Sequence, residues 1–132
     1  MSIRHSLFAL FAILCLASCD KMSTVTYKIK NMATDSIRII SVRKDGTTLI
    51  TDTFKISYNQ TATIGRVDKG FSHISSYKPT GTVLEDFSQI DIYKVTTGTK
   101  AKTNFLLTSQ WTYTENGAHL ADEATVVTEN DL

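Results

Sequence analysis

Alternation of apolar and polar residues is the feature that most constrains how this chain can fold. In Thr24–Lys30 the apolar residues Val25, Tyr27 and Ile29 alternate with Thr or Lys. Successive side chains of a strand point to opposite faces, so this spacing predicts a half-buried strand. No segment between residues 24 and 132 has a helical period of apolar residues, and we therefore predict an all-β fold.

Further strand patterns follow along the chain, separated by turn signals. Asp45-Gly46 and Asn116-Gly117 predict tight hairpin turns of type I′, and Gly65 predicts a bulge or a close backbone approach. Seven or eight short strands favour an antiparallel two-sheet sandwich, immunoglobulin-like in arrangement. The predicted strands are Thr24–Lys30, Ser36–Arg43, Thr48–Ile56, Thr61–Val67, Phe87–Val95, a segment near Thr103–Leu107, Trp111–Thr114 and Leu120–Thr128, with a further short strand around His73–Tyr77.

The chain begins with the three-part pattern of a secretory signal peptide. Arg4 and His5 form a basic start, Leu7–Leu16 is an unbroken apolar run, and small residues follow it. Ten apolar residues are too few to span a bilayer, which takes about 20. We therefore expect the segment to be removed after export rather than kept as a membrane helix.

The stretch Leu16-Ala17-Ser18-Cys19 resembles the lipobox of bacterial lipoproteins. The resemblance implies cleavage before Cys19, attachment of diacylglycerol to its sulfur, and acylation of the new amino group. Two or more acyl chains give stable membrane anchoring, whereas one gives only marginal binding. The alternative is that Cys19 merely lies beside an ordinary cleavage site. The implied organisation is a signal peptide at 1–18, a lipidated cysteine and short tether at 19–23, and one β-sandwich domain at 24–132.

The part that follows Cys19 is similar to small uncharacterised lipoproteins of Bacteroidota-type Gram-negative bacteria. The motifs that carry this similarity are Lys30-Asn31, Asp86–Tyr93, Ser109–Tyr113 and Val127–Leu132. They are features of core and turns, so the similarity implies a fold class and a cell-envelope location but no activity. It favours the outer membrane or the cell surface over the inner membrane.

Charge argues against a nucleic-acid-binding function, and cysteine content argues against stabilisation by disulfide bonds. Arg4 is the only one of the 14 basic residues before Cys19, and all 13 acidic residues follow it, so the mature chain is formally neutral. A neutral domain is a poor candidate for binding nucleic acid. Cys15 leaves with the signal peptide and Cys19 is consumed by lipid, so we expect an exported domain without disulfides.

No catalytic, cofactor or metal site is predicted. Gly70-Phe71-Ser72-His73-Ile74 approaches the G-x-S-x-G nucleophile elbow but has Ile in place of the last Gly and lacks a following helix. His73 and His119 are isolated from each other in sequence and belong to no set with metal-ligand spacing. We therefore expect a protein that is not an enzyme.

The likeliest contact surface is the long loop Asp68–Thr82, which contains the only Pro of the chain. We predict a non-catalytic interaction or assembly module that meets an envelope protein, with Phe71, His73, Tyr77 and Lys78 as candidate contact residues. The alternative is a surface glycan-binding module that uses Trp111 and loop tyrosines, which requires Trp111 to be exposed rather than in the core. Asp35-Ser36-Ile37 also resembles a Bacteroidota-type acceptor of O-glycosylation at Ser36.

Overall fold

The computed structural model describes residues 21–132 and confirms the predicted all-β fold. The signal peptide and Cys19 lie outside the described residues. Short 3₁₀ turns cover Ile74–Tyr77, Thr108–Gln110 and Glu129–Asp131. No helix among the described residues is long and apolar enough to cross a membrane. The seven strands are β1 Ser23–Asn31, β2 Ile37–Asp45, β3 Thr48–Ile56, β4 Thr61–Gly70, β5 Phe87–Lys94, β6 Thr112–Glu115 and β7 Leu120–Val127.

The strands form two sheets that pack against each other as a β-sandwich. One sheet has the order β4-β1-β7-β6 and the other the order β3-β2-β5. Neighbouring strands are antiparallel except β1 and β7, which run parallel. An immunoglobulin constant domain also divides its seven strands into four and three. The order within the sheets differs here, so the likeness extends to the division of strands and not to their connection.

Alternation along β1 sets its place in the core. Its residues alternate strictly between buried and half-buried, with Val25, Tyr27 and Ile29 at most 2% exposed. Neighbouring strands supply inward-facing residues by the same period of two. The apolar core is made of Val25, Tyr27, Ile29, Ile37, Ile39, Ile56, Ile64, Ile74, Leu84, Phe87, Ile90, Ile92, Phe105, Trp111, Ala121 and Val127.

Both predicted hairpins form, but their turns differ from the prediction. Asp45 pairs with Thr48, so the central residues of the first turn are Gly46 and Thr47. Only Gly46 has a positive φ, of 59°, whereas a type I′ turn needs two such residues. The second turn spans residues 116–119 between β6 and β7, a longer connection than the tight turn predicted at Asn116-Gly117.

Two predicted strands are wrong, and one predicted irregularity is confirmed. Within His73–Tyr77 the structure has a 3₁₀ turn, Ile74–Tyr77, in which the backbone N–H of Ser75 donates to the His73 ring. Thr103–Leu107 lies outside the named strands, and its pairing is a single isolated bridge between Leu107 and Val83, which itself lies outside them. Gly65 lies at a bulge, because it pairs with Tyr27 while the next residue of β1 pairs with Thr63.

Candidate functional site

The start of β1 defines one end of the sandwich, which we call the tethered end. Ser23 pairs with Gly70 at the end of β4, and Thr24 pairs with Leu120 at the start of β7. The Ser23 hydroxyl donates to the backbone carbonyl of Ser72 at 2.6 Å. The first half of the predicted contact loop is therefore fixed beside the point where the chain from Cys19 enters the domain.

The four predicted contact residues lie on the surface in two groups. Phe71 is 60% exposed, and His73 is also exposed with its Nδ1 at 2.9 Å from the Ser75 hydroxyl. Tyr77 is half-buried and covers Gly70, where an added Cβ would lie 2.8 Å from the Tyr77 hydroxyl oxygen. Lys78 is exposed and lines both clefts described below, the first of them together with Tyr77.

The contact loop is held to the sandwich at both ends. Ile74 is fully buried, its N–H donates to the carbonyl of Ala118 at 2.8 Å, and its own carbonyl accepts from the Tyr113 hydroxyl at 2.9 Å. Near the other end, the Thr108 hydroxyl donates to the carbonyl of Gly81 at 2.7 Å. The loop is thus part of the packed structure, and its exposed side chains can be changed one by one without removing its core residue.

A pair of histidines marks the same end, although they are far apart in sequence. The rings of His73 and His119 are 6.4 Å apart between centroids, and His119 Nδ1 lies 3.0 Å from the Ser23 hydroxyl oxygen. Among residues 21–132 no group of three or more His, Cys, Asp or Glu could hold a metal ion.

A half-buried charged cluster beneath the loop had not been predicted from the sequence. The Tyr27 hydroxyl donates to the Asp86 carboxylate, and Lys69 Nζ donates to both oxygens of that carboxylate at 2.5 Å. Burial, followed by the hydrogen bond to Asp86, raises the pKa of Tyr27 well above its ordinary value. The tyrosine consequently acts as a fixed hydrogen-bond donor at the base of a cleft of about 210 Å³ beside the loop.

Glu123 is the least expected member of this region. It is 2% exposed, and no hydrogen bond to its carboxyl is found within the part of the chain that the structure describes. Burial first, and then the Asp86 carboxylate, raise the pKa of Glu123 to about 7, against the opposing charges of Lys69 and Lys78. Its inward position is set by the alternation of side chains along β7, but the apolar residues Leu120, Ala124 and Val126 lie on the exposed face of that strand, so the sequence pattern did not reveal the buried acid.

Glu123 lies at the floor of a second cleft, which is about 440 Å³ in volume. Lys78 and Pro79 separate this cleft from the one over Tyr27, and Trp111 and Tyr113 line its other side. An acid with a pKa near 7 can take up or release a proton around neutral pH.

Trp111 belongs to the core, which answers the question that the sequence left open. It is 8% exposed, its indole N–H donates to the carbonyl of Phe105 at 2.8 Å, and its ring meets that of Tyr27 edge to face at 5.9 Å. The glycan alternative thereby loses its predicted stacking platform. Comparisons of this chain with protein-family models, with curated proteins and with solved structures find no match.

Proposed function

We propose that this chain is a lipid-anchored lipoprotein of the bacterial cell envelope whose β-sandwich acts as a non-catalytic interaction module. The observation that carries the proposal is the sequence Leu16-Ala17-Ser18-Cys19, placed directly before a strand-forming domain. Only residues 20–22 separate Cys19 from Ser23, the first residue of β1. Such a tether spans at most about 14 Å when extended, so the domain would work close to the lipid surface.

The position of the contact loop supports the interaction role. The exposed residues Phe71 and His73 lie at the tethered end, where the hydrogen bond from Ser23 to Ser72 holds them beside β1. An exposed Phe on a loop that is held by a buried Ile74 presents a rigid apolar contact, which loses little conformational entropy on binding. We propose this end as the surface through which the module meets its partner.

Lipid attachment is tested by metabolic labelling with palmitate in a bacterial host that processes lipoproteins. We expect the wild-type protein to be labelled and to partition into detergent, and Cys19→Ala to lose both properties completely. Cys15→Ala is the matched control, because it removes the other cysteine of the chain and should keep full labelling. Mass spectrometry of the amino-terminal tryptic peptide, which ends at Lys21, identifies the modified atom. Equal labelling of the Cys19→Ala variant would refute the proposal.

A further inference from the structure

We propose that the tethered end of the sandwich rests on the lipid bilayer, with the side chains of Met22, Phe71 and Leu120 in its interfacial region. This inference rests on the proposed function, because lipidated Cys19 is what brings the bilayer there. It identifies the partner of the contact loop as the membrane itself and gives the domain one orientation on that membrane.

The three side chains come from adjacent strands. Met22 precedes β1, Phe71 follows β4, and Leu120 begins β7, and they are 42%, 60% and 45% exposed, respectively. The pairs Ser23–Gly70 and Thr24–Leu120 join these three chain segments in neighbouring positions of one sheet. Neighbouring strands lie about 4.8 Å apart, so the three backbone positions fall within roughly 10–15 Å of one another.

The covalent tether decides which end of the sandwich meets lipid. Three chain steps join Cys19 to Met22, which is at most about 11 Å of extended chain. β1 then runs away from that point for nine residues, or about 27 Å. The turn that carries Tyr58 lies at the far end, because Asn59 N–H donates to the carbonyl of Asn31 at 2.7 Å.

The chemistry of the tethered end fits a bilayer interface. Apolar side chains that are exposed in the free domain lose contact with water when they enter the boundary between headgroups and acyl chains. Lys21 is exposed beside Met22 and can reach phosphate groups with its long side chain. Asp68 at the same end is hydrogen-bonded to the Thr24 hydroxyl at 2.8 Å, and Glu115 is exposed nearby on β6. Because both signs of charge are present, net charge does not bring this end to the bilayer. Burial of the apolar side chains and the covalent tether would keep it there.

Site-specific photocrosslinking in intact cells tests the orientation. Benzoylphenylalanine replaces Phe71 in one form of the full chain and Tyr58 in the other, so that an exposed aromatic residue is exchanged for a photoreactive one at each end. Tyr58 is the matched control, because it is 54% exposed, close to the 60% of Phe71. After irradiation, mass spectrometry of the purified protein distinguishes phospholipid adducts from protein adducts. We expect phospholipid adducts at position 71 to exceed those at position 58 by at least tenfold.

The outcomes separate this inference from the proposal on which it rests. Protein adducts at position 71 without phospholipid would overturn the bilayer contact in favour of a protein partner. Equal phospholipid adducts at positions 71 and 58, or none at either, would overturn the orientation. The same mass spectra report the acyl chains on Cys19, so a protein that is lipidated but shows no preference refutes the inference alone. A protein without acyl chains refutes the proposed anchor.

Discussion

Glu123 is a carboxylic acid on the inward face of a strand whose other inward residues are Ala121, Thr125 and Val127. Burial of an ionised carboxylate is costly, and the nearby Asp86 carboxylate adds repulsion, so the group keeps its proton to a higher pH instead. Cross-strand neighbours place Tyr27 and Tyr113 beside it. The charged or titratable groups that face Glu123 from the surrounding elements are Tyr27, Lys69, Lys78, Asp86 and Tyr113.

Replacement of Glu123 by Gln should change how stability depends on pH. Between pH 4.5 and about 7 the unfolded chain releases the Glu123 proton while the folded protein retains it, so stability falls as the pH rises. A pKa raised from 4.5 to about 7 corresponds to about 3 kcal/mol, fully lost above pH 7. We expect Glu123→Gln to match the wild type near pH 4 and to be up to about 3 kcal/mol more stable near pH 8 in urea unfolding.

The control for this prediction is Glu115→Gln, which alters an exposed glutamate of the neighbouring strand β6. Its free energy of unfolding should stay within about 0.5 kcal/mol of the wild type at both pH values, as for most surface substitutions. If Glu123→Gln instead destabilised the protein equally at both pH values, its carboxyl would have a role in packing that does not depend on its proton.

The burial of Trp111 gives a second prediction at the residue scale. The folded protein should show a blue-shifted Trp emission that acrylamide hardly quenches, and unfolding should move the emission to the red. Trp111→Phe keeps an aromatic ring but leaves the carbonyl of Phe105 without its donor, so we expect a loss of about 1–3 kcal/mol of stability by circular dichroism. Red-shifted and quenchable emission from the folded protein would contradict the core position.

At the scale of elements, alternation predicted strands well and failed where apolar residues pack without pairing. The pattern of β1 predicted its inward face and its position to within one residue at each end, and β3 was predicted at the position it occupies. In Thr103–Leu107 the apolar pattern arises because Phe105, which is 2% exposed, packs into the core, and not because the segment pairs as a strand. A short apolar run by itself cannot distinguish the two cases. At His73–Tyr77 a hydrogen bond from the Ser75 N–H to the His73 ring favours a 3₁₀ turn over a strand.

The bulge at Gly65 offers a test at this scale. A Cβ at Gly65 would lie 3.1 Å from Cζ of Phe87 and 3.2 Å from Cδ of Arg43. Arg43 can move, but Phe87 is 1% exposed and fixed in the core. We expect Gly65→Ala to cost about 1–3 kcal/mol through overpacking, measured by urea unfolding.

Gly81 is the matched position for comparison with Gly65. A Cβ there would meet only the carbonyl of Val83, at an ordinary contact distance of 3.7 Å, and its φ is not positive. Gly81→Ala should therefore change stability by less than about 0.5 kcal/mol. Equal effects of the two substitutions would mean that the β1–β4 pair adjusts its register to admit a side chain at the bulge.

At the scale of the whole molecule, the features that escaped prediction are those that join distant parts of the chain. No local sequence pattern indicates that β7 pairs with β1 in parallel, because most of the domain's sequence separates the two strands. For the same reason the sequence could not bring Glu123 near Asp86 and Lys69. The contact loop was predicted from its composition, whereas its position at the tethered end depends on the pairing of Ser23 with Gly70.

The central place of β1 predicts where the molecule resists opening. β1 is hydrogen-bonded to β4 on one side and to β7 on the other. Within residues 21–132, β3 is an edge strand of the same length that pairs only with β2. Amide exchange of a paired N–H requires local opening, which costs more where both sides of a strand are covered. Among hydrogen-bonded amides only, we expect those of Val25–Ile29 to exchange at least tenfold more slowly than those of β3.

Amide hydrogen exchange also tests whether the lipid anchor weakens the pairing of β1. Tension from a membrane-bound Cys19 would enter the sandwich at Ser23, so the first strand to feel it is the one held by two neighbours. Hydrogen exchange followed by mass spectrometry, on the lipidated protein in vesicles and on the Cys19→Ala form in solution, should give the same slow exchange for β1. If β1 exchanged as fast as β3, or opened faster once anchored, the tethered end would be frayed rather than the firm base that contact with the bilayer requires.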